Sequence, residues 1–514
     1  MGIFANPLTD LLEYEDFSRD FLKGTDPVGM TGCIDSEKVH FMSTFLGEKK
    51  VQLVVTYNEQ RAREIEEDYK LFCSQVYVIP PRDLIFFSAD LQGNAIIAER
   101  MKAFAALYQN EAKVIITTMD ALMSAAVPFE QLMSHVIKLK EGDELDLEKL
   151  KHDLTVMGYE RVGRVEEPGQ FTVHGGIADV YPLTMEVPVR IELWGDEIDT
   201  IRCFEPQSQR SMDQIECVSV FPAAEVIADD TARRRAVGMI QNELESQLAV
   251  FKKAKEPDKA KRLREETNRI LEALGEDVVL EAPDSYISYF YPRTVQLSEY
   301  FDEKNTLVFL DEPMRLKERG DGVQAEFEES MKNRLEQGFL LPGQTALLTP
   351  AKHVLAAFER GQVAALSSLD SRLADFTVVN SYAVNVQNMN TYREGFELLI
   401  KDLTHWKKEK YRIVLLCPSR TRANRIVNQL IEYDLLAYYS EDEDKKINPG
   451  EIMVTYGNLH RGFLYPMLKF AVITESDIFG VKKKKKEKKS HYQGQRISDF
   501  AQLKPGDYVV HENY

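Results

Sequence analysis

The stretch Gly29-Met-Thr-Gly32-Cys33-Ile34-Asp35-Ser36 stands just before a helical pattern, where a glycine-containing loop could wrap a nucleotide phosphate in backbone amides. That chemistry needs Gly-x-x-x-x-Gly-Lys-[Ser/Thr]. The second glycine lets the amides close round the phosphates, and the lysine neutralises them. Here Ile34 holds the glycine position and Asp35 the lysine position. A carboxylate where a β- or γ-phosphate would lie repels it, which leaves Ser36 without a magnesium-nucleotide complex to join. Gly29, Gly32, Asp35 and Ser36 therefore read as a degenerate phosphate loop, an ordinary turn opening a helix. A second candidate is Asp311-Glu312, at the end of the apolar run Thr306-Leu-Val-Phe-Leu. Paired acids at a strand end can hold magnesium and orient water, but without a phosphate loop these read as a helix or turn cap. Nine histidines and five cysteines (33, 73, 203, 217 and 417) show no metal-ligand spacing and no disulfide framework. No catalytic residue, metal or cofactor is expected in this chain, and the cysteine usage fits a reducing cytoplasm.

Residues suited to recognition are easier to find. Val189-Arg-Ile-Glu-Leu-Trp194 alternates, so its aliphatic residues face one way while Arg190, Glu192 and Trp194, one of only two tryptophans, share the other face. An exposed Trp beside an Arg is the pair most enriched at binding hot spots, and packing under a neighbouring element is the alternative. The segment Phe171-Thr-Val-His-Gly-Gly-Ile-Ala-Asp-Val-Tyr-Pro182 precedes it, and Gly195-Asp196 leads into a further alternating run. The Gly175-Gly176 pair permits a bulge and Gly195-Asp196 a turn, giving a small antiparallel meander with one apolar face. Alternation places His174 with Thr172 and Gly176 on its polar side. Neither Arg190 nor Trp194 is assigned to a core.

The elements that must carry these residues belong to several units, since 514 residues at 44% hydrophobic content suffice for three or four cores. Residues 1–135 read as α/β, with strands at Val51–Thr56, Val76–Ile79 and Val114–Thr118 and helices at Glu59–Cys73 and Gly93–Tyr108. A β-rich unit follows at 136–221. Helical pattern resumes, with a sign-alternating charged segment from Phe251 to Leu274 read as one exposed helix. Strands are expected again at Thr306–Asp311 and Gln344–Leu348, so one α/β domain (1–135 and 222–375) is interrupted by an inserted one. A second α/β domain spans 376–479, with Tyr411–Cys417 a strand and Thr421–Tyr433 its helix. The fold class is thus multidomain α/β: a parallel-sheet domain, an inserted small β-rich domain and a further α/β domain. Residues Lys482–Lys489 hold seven Lys and one Glu, a local +6 that leaves −25 for the rest of a chain whose net charge is −19. Residues 480–500 accordingly read as a solvated, lysine-rich linker, and the acidic remainder argues against a sequence-independent grip on nucleic acid. No apolar run approaches the roughly 20 residues that span a bilayer, so no membrane role is expected and the chain is placed in the cytoplasm.

In residue order and spacing over about forty positions, the block from Phe171 to Arg210 resembles the second domain of UvrB and, more closely, of the bacterial transcription-repair coupling factors (Mfd). The resemblance implies a degenerate helicase-like sheet domain, an inserted UvrA-binding domain and a third domain. Its UvrA contacts fall on His174, Arg190 and Trp194. His174 stands where relatives have arginine, exchanging a permanent cation for a group largely neutral at pH 7. Trp194 stands where they have phenylalanine, which keeps an aromatic anchor. Pro313-Met314 replaces the Ser-His of active relatives. The segment after Ile79, bounded by Pro80-Pro81 and Gly93, leaves little room for UvrB's strand-separating hairpin. Residues 501–514 resemble the opening strand of an RNA polymerase interacting domain. The expectation is an amino-terminal portion of a longer, monomeric protein, whose downstream domain would bind RNA polymerase and whose motor would bind DNA, ATP and magnesium. The resulting reading is a non-catalytic adaptor recruiting UvrA to a stalled polymerase. The alternatives are a UvrB-type ATP-dependent helicase and a module docking on its own longer chain to restrain it.

Overall fold

A computed structural model describes residues 7–48, 50–82, 93–275, 283–370, 376–392, 395–442 and 445–480. The segment after Arg82, the lysine-rich linker and residues 501–514 lie outside the described residues.

The chain is multidomain α/β, as expected. Its largest sheet has seven strands, in the order Asn380–Ala383, Val28–Thr31, Val363–Ser367, Thr306–Asp311, Val51–Thr56, Val114–Thr118 and Val76–Ile79, all parallel. Strands from both sides of the β-rich segment therefore share one sheet. Apolar residues on both faces of these strands follow from burial on both sides. Leu53, Ile115 and Leu310 pack into one core, whereas Val54, Ile116 and Phe309 pack into the other. Helix Glu59–Tyr69 begins where the Asn58 side chain accepts from the Arg61 amide, meeting one otherwise unpaired N–H of its first turn.

The expected strand at Gln344–Leu348 is not formed. Pro342 opens a 3-10 turn there, and the strand beside Thr306–Asp311 is Val363–Ser367. The charged segment from Phe251 is two helices instead of one, Asp230–Ala254 and Pro257–Gly275. The break falls at Lys255, which is left-handed with φ +59°, and Pro257 starts the second helix at the position where its missing N–H costs least. Leu263, Thr267 and Leu274 on the second helix are buried, so that helix is only partly solvated.

The β-rich unit is a six-stranded sheet, ordered Ser211–Gln214, Glu197–Phe204, Val189–Trp194, Ile177–Val180, Gln170–His174 and Glu160–Arg161. Its core contains Phe171, Val173, Ile191 and Ile201, closed by Leu150 and Leu154 of helix Leu147–Val156. The third α/β unit carries another six-stranded sheet, and its strand Arg412–Cys417 splits its side chains between two cores. Ile413 and Leu415 pack internally, while Val414 and Leu416 join the core beneath the seven-stranded sheet. Extended chain from Asn380 to Asn388 joins both sheets, pairing first with Val28–Thr31 and then with Phe463–Leu464. The sequence boundary at 376 assigned all of that stretch to the third unit. No helix among the described residues is long and apolar enough to cross a membrane.

Candidate functional site

Gly175-Gly176 forms the turn of a hairpin, with Gly175 left-handed at φ +60°, and is not a bulge. The register shift lies instead between Glu192 and Leu193 against the strand Glu197–Phe204. Pairing across the sheet sets His174, Ile177 and Glu192 in one row and Thr172, Asp179, Arg190 and Arg202 in the next. Trp194 follows two residues beyond Glu192 at the tip of its strand, 84% exposed, and His174 is exposed nearby on the same sheet. Ile177, 40% exposed, adds a second apolar group to this tip, which the sequence reading did not single out.

Arg190 is mostly buried, with 22% of its side chain exposed. Its Nε and Nη2 each donate to Asp179 at 2.8 Å, and its guanidinium lies 4.8 Å from the centre of the Phe204 ring. This ties Arg190 to buried groups, so the expectation that it lies clear of any core needs correcting. Asp179 is the residue that aims it, and a carboxylate facing an arginine across neighbouring strands was a signal available in the alternation.

The degenerate phosphate loop is built differently. Gly29 lies within strand Val28–Thr31, followed by Gly32 at φ +83°. A side chain on Gly32 would sit 2.0 Å from the Val384 carbonyl oxygen, so the loop is closed over by the chain leading to the third unit. Helix Asp35–Ser43 starts at Ile34, whose amide donates to Glu37 Oε2 at 3.1 Å. Asp35 Oδ2 lies 3.5 Å from Arg461 Nη1, and Ser36 Oγ accepts the Arg461 amide at 2.9 Å. The position of a phosphate-binding serine is thus taken by a backbone amide of the third unit.

Asp311 and Glu312 are not simple caps. Lys38, 3% exposed, donates from Nζ at 2.6 Å to Asp311 Oδ1 and at 2.6 Å to Glu312 Oε1. Thr56 Oγ1 and Arg61 Nε complete the shell of Asp311 at 2.8 and 3.4 Å. Glu312 occupies the N-cap position of helix Pro313–Glu336 with φ +56°, but its side chain makes no capping bond. Burial alone would raise the Asp311 carboxyl; Lys38 and Arg61 overcome this and hold it at about 2. Burial likewise opposes the Lys38 charge, yet the two acids hold the ammonium above its ordinary value. Sequence reading passed over Lys38 because it lies three residues past the motif's lysine position at Asp35. Two acids at a buried strand end still demanded a cation.

Around this edge Glu37 accepts the Tyr465 hydroxyl at 2.7 Å, His40 Nδ1 lies 3.1 Å from the same hydroxyl and stacks on Phe463, and Asp68 Oδ1 accepts the His460 amide. Burial pushes both Glu37 and Asp68 up to about 7, against the opposing hydrogen bonds of Tyr465 for the first and Ser36 for the second. Because both folded-state values are raised, the stability they contribute is full below the ordinary carboxylate range and is lost as pH rises through about 7. The melting temperature of the unit holding this contact should therefore fall by a few degrees between about pH 5 and 8. Glu37→Gln with Asp68→Asn should flatten that slope in a thermal-denaturation series, and an unchanged slope would assign it to other groups.

Residues 137–225 match the family described as the UvrB interaction domain, and residues 405–478 match the MFD D3 domain. Over essentially the whole chain the sequence is similar to curated proteins named transcription-repair-coupling factor. That of Bacillus subtilis (strain 168) is 29% identical over 516 residues, covering 99% of this chain and 43% of the relative. That of Staphylococcus epidermidis (strain RP62A) is 28% identical over 520 residues, covering all of this chain and 43% of the relative. That of Staphylococcus aureus (strain Mu50) is 26% identical over 531 residues. The chain spans less than half the length of these relatives.

Proposed function

We propose that this chain, which matches the amino-terminal UvrB-like region of the transcription-repair-coupling factors, is a non-catalytic adaptor that recruits UvrA for nucleotide excision repair. One observation carries the reading. Within the segment matching the UvrB interaction domain, an 84%-exposed tryptophan stands at a hairpin tip, on the same strand face as an arginine four residues earlier that is held by a buried carboxylate. Large aromatic surface left in water on one face with a pre-aimed cation is the kind of arrangement from which binding hot spots are built. His174, Arg190 and Trp194 are the contacts proposed, with Asp179 positioning Arg190. RNA polymerase, reached through residues beyond 501, and DNA, reached through a motor elsewhere in the longer protein, complete the proposed setting, with the chain acting as a monomer in the cytoplasm. Binding of purified UvrA to this chain, measured by calorimetry or pull-down, is the direct test.

The rival reading, a UvrB-type ATP-dependent helicase, is opposed by the phosphate loop itself. Gly32 is covered by Val384, Ser36 is bonded to the third unit, and Lys38 stands between the two acids that would otherwise hold magnesium. Calorimetric titration with magnesium-ATP is expected to show no saturable heat. A micromolar dissociation constant would remove the adaptor-only reading.

A further inference from the structure

The strand Ile137–Lys140, helix Leu147–Val156 and the turn after Trp194 enclose an open groove of about 800 Å³ that shares Leu193, Gly195 and Asp196 with the proposed UvrA-binding hairpin. Its floor is apolar, with Leu139 and Leu150 buried and Leu193 half-buried. Its lining carries five carboxylates against two lysines. Two of the carboxylates have local tasks: Asp146 caps the helix by accepting from the Glu148 and Lys149 amides, and Glu148 pairs with Lys151. Glu144, Asp153 and Asp196 have no ion-pair partner among the described residues.

Leu193 and Trp194 are neighbours on one strand and face opposite sides of it. A partner seated on Trp194 is therefore one turn's width from the groove on the other side. We propose that this groove is a second contact for the same partner and takes a basic, amphipathic segment of UvrA, so that the hairpin is gripped from both faces. The inference rests on the UvrA reading above. Leucines at the floor accept the apolar side of such a segment, and the unpaired carboxylates at the mouth attract its Lys or Arg side chains. Charges of this kind speed association and make it salt-dependent.

Calorimetry with purified UvrA at about 50 and 200 mM salt tests this on the wild-type chain, Trp194→Ala and the double variant Glu144→Lys/Asp153→Lys, with thermal melts as the folding control. The charge-reversed variant is expected to bind about tenfold or more weakly at the lower salt and to show a flatter salt dependence. Should it melt early, Glu144→Gln/Asp153→Asn keeps the shapes and should still lose about threefold. If Trp194→Ala loses binding while the groove variants bind as wild type does, the groove proposal is overturned and the hairpin reading stands. Failure of the wild-type chain to bind UvrA would overturn the adaptor reading, and this inference with it.

Discussion

Trp194→Ala is expected to weaken UvrA binding by about thirtyfold or more and to leave the thermal transition where it is. Truncating a central aromatic anchor typically costs ~2 to 4 kcal/mol, and each 1.4 kcal/mol is roughly tenfold. The side chain contributes nothing comparable to the fold, because 84% of its surface is already in water. Arg190→Ala, combined with it, should abolish binding at micromolar concentrations, but with a second consequence. Removal of the guanidinium strands Asp179, whose side chain is 8% exposed, and uncovers the Phe204 ring. A buried acceptor that loses its partner costs ~1 to 3 kcal/mol, so the double variant should also melt earlier. The single tryptophan variant is therefore the cleaner probe. Asp179→Asn separates the two roles of Arg190, since the arginine and its charge remain while the bidentate hold is lost. Wild-type affinity in Trp194→Ala would show that this face is not where the partner sits.

How far the residues spoke for themselves differed between the two sites. On the meander a period of two decides each side chain's face, and one register slip would have reversed them all. Arg190 and Trp194 could therefore be placed from Val189, Ile191 and the turn at Gly195 alone. The Arg190–Asp179 pair was harder to see, because it crosses strands and depends on the Gly175-Gly176 turn being a two-residue hairpin instead of a bulge. At the phosphate loop, motif spacing put Ile34 at the glycine position and Asp35 at the lysine position but did not reveal the distant partners of Ser36 and of the acidic pair. Lys38 meets Asp311 across 273 positions, and Ser36 meets Arg461 across 425. No local pattern encodes contacts at that separation. The missed strand Val363–Ser367 has a similar cause. Its small residues Ala364 and Ala365 carry little strand propensity, and they form a strand because neighbours on both sides supply the ladder bonds.

Lys38 also carries a large expected stability effect, because it is a buried cation paired with two acids. Lys38→Met keeps most of the volume and the apolar stem but removes the charge. Asp311, 2% exposed, then retains only Thr56 and the longer contact to Arg61, while Glu312 keeps Ser368. Breaking a buried pair from one side leaves an uncompensated charge, which costs ~3 to 5 kcal/mol. The sign of the pH dependence distinguishes this from simple loss of packing. In the wild-type chain Asp311 is held at about 2, so its contribution is present above the ordinary carboxylate range and is lost only as pH falls through that value. Without Lys38 the carboxyl should rise, and protonation should relieve part of the penalty at mildly acid pH, so the gap between variant and wild type should narrow from pH 7 to pH 4. Lys38→Met/Asp311→Asn should recover part of the loss at pH 7, because the stranded charge is gone. Urea denaturation at the two pH values measures all three quantities. A Lys38→Met protein within ~1 kcal/mol of wild type at pH 7 would mean that water reaches Asp311. The cleft would then be open enough for an ion, and the chain's own lysine would not fill the metal position.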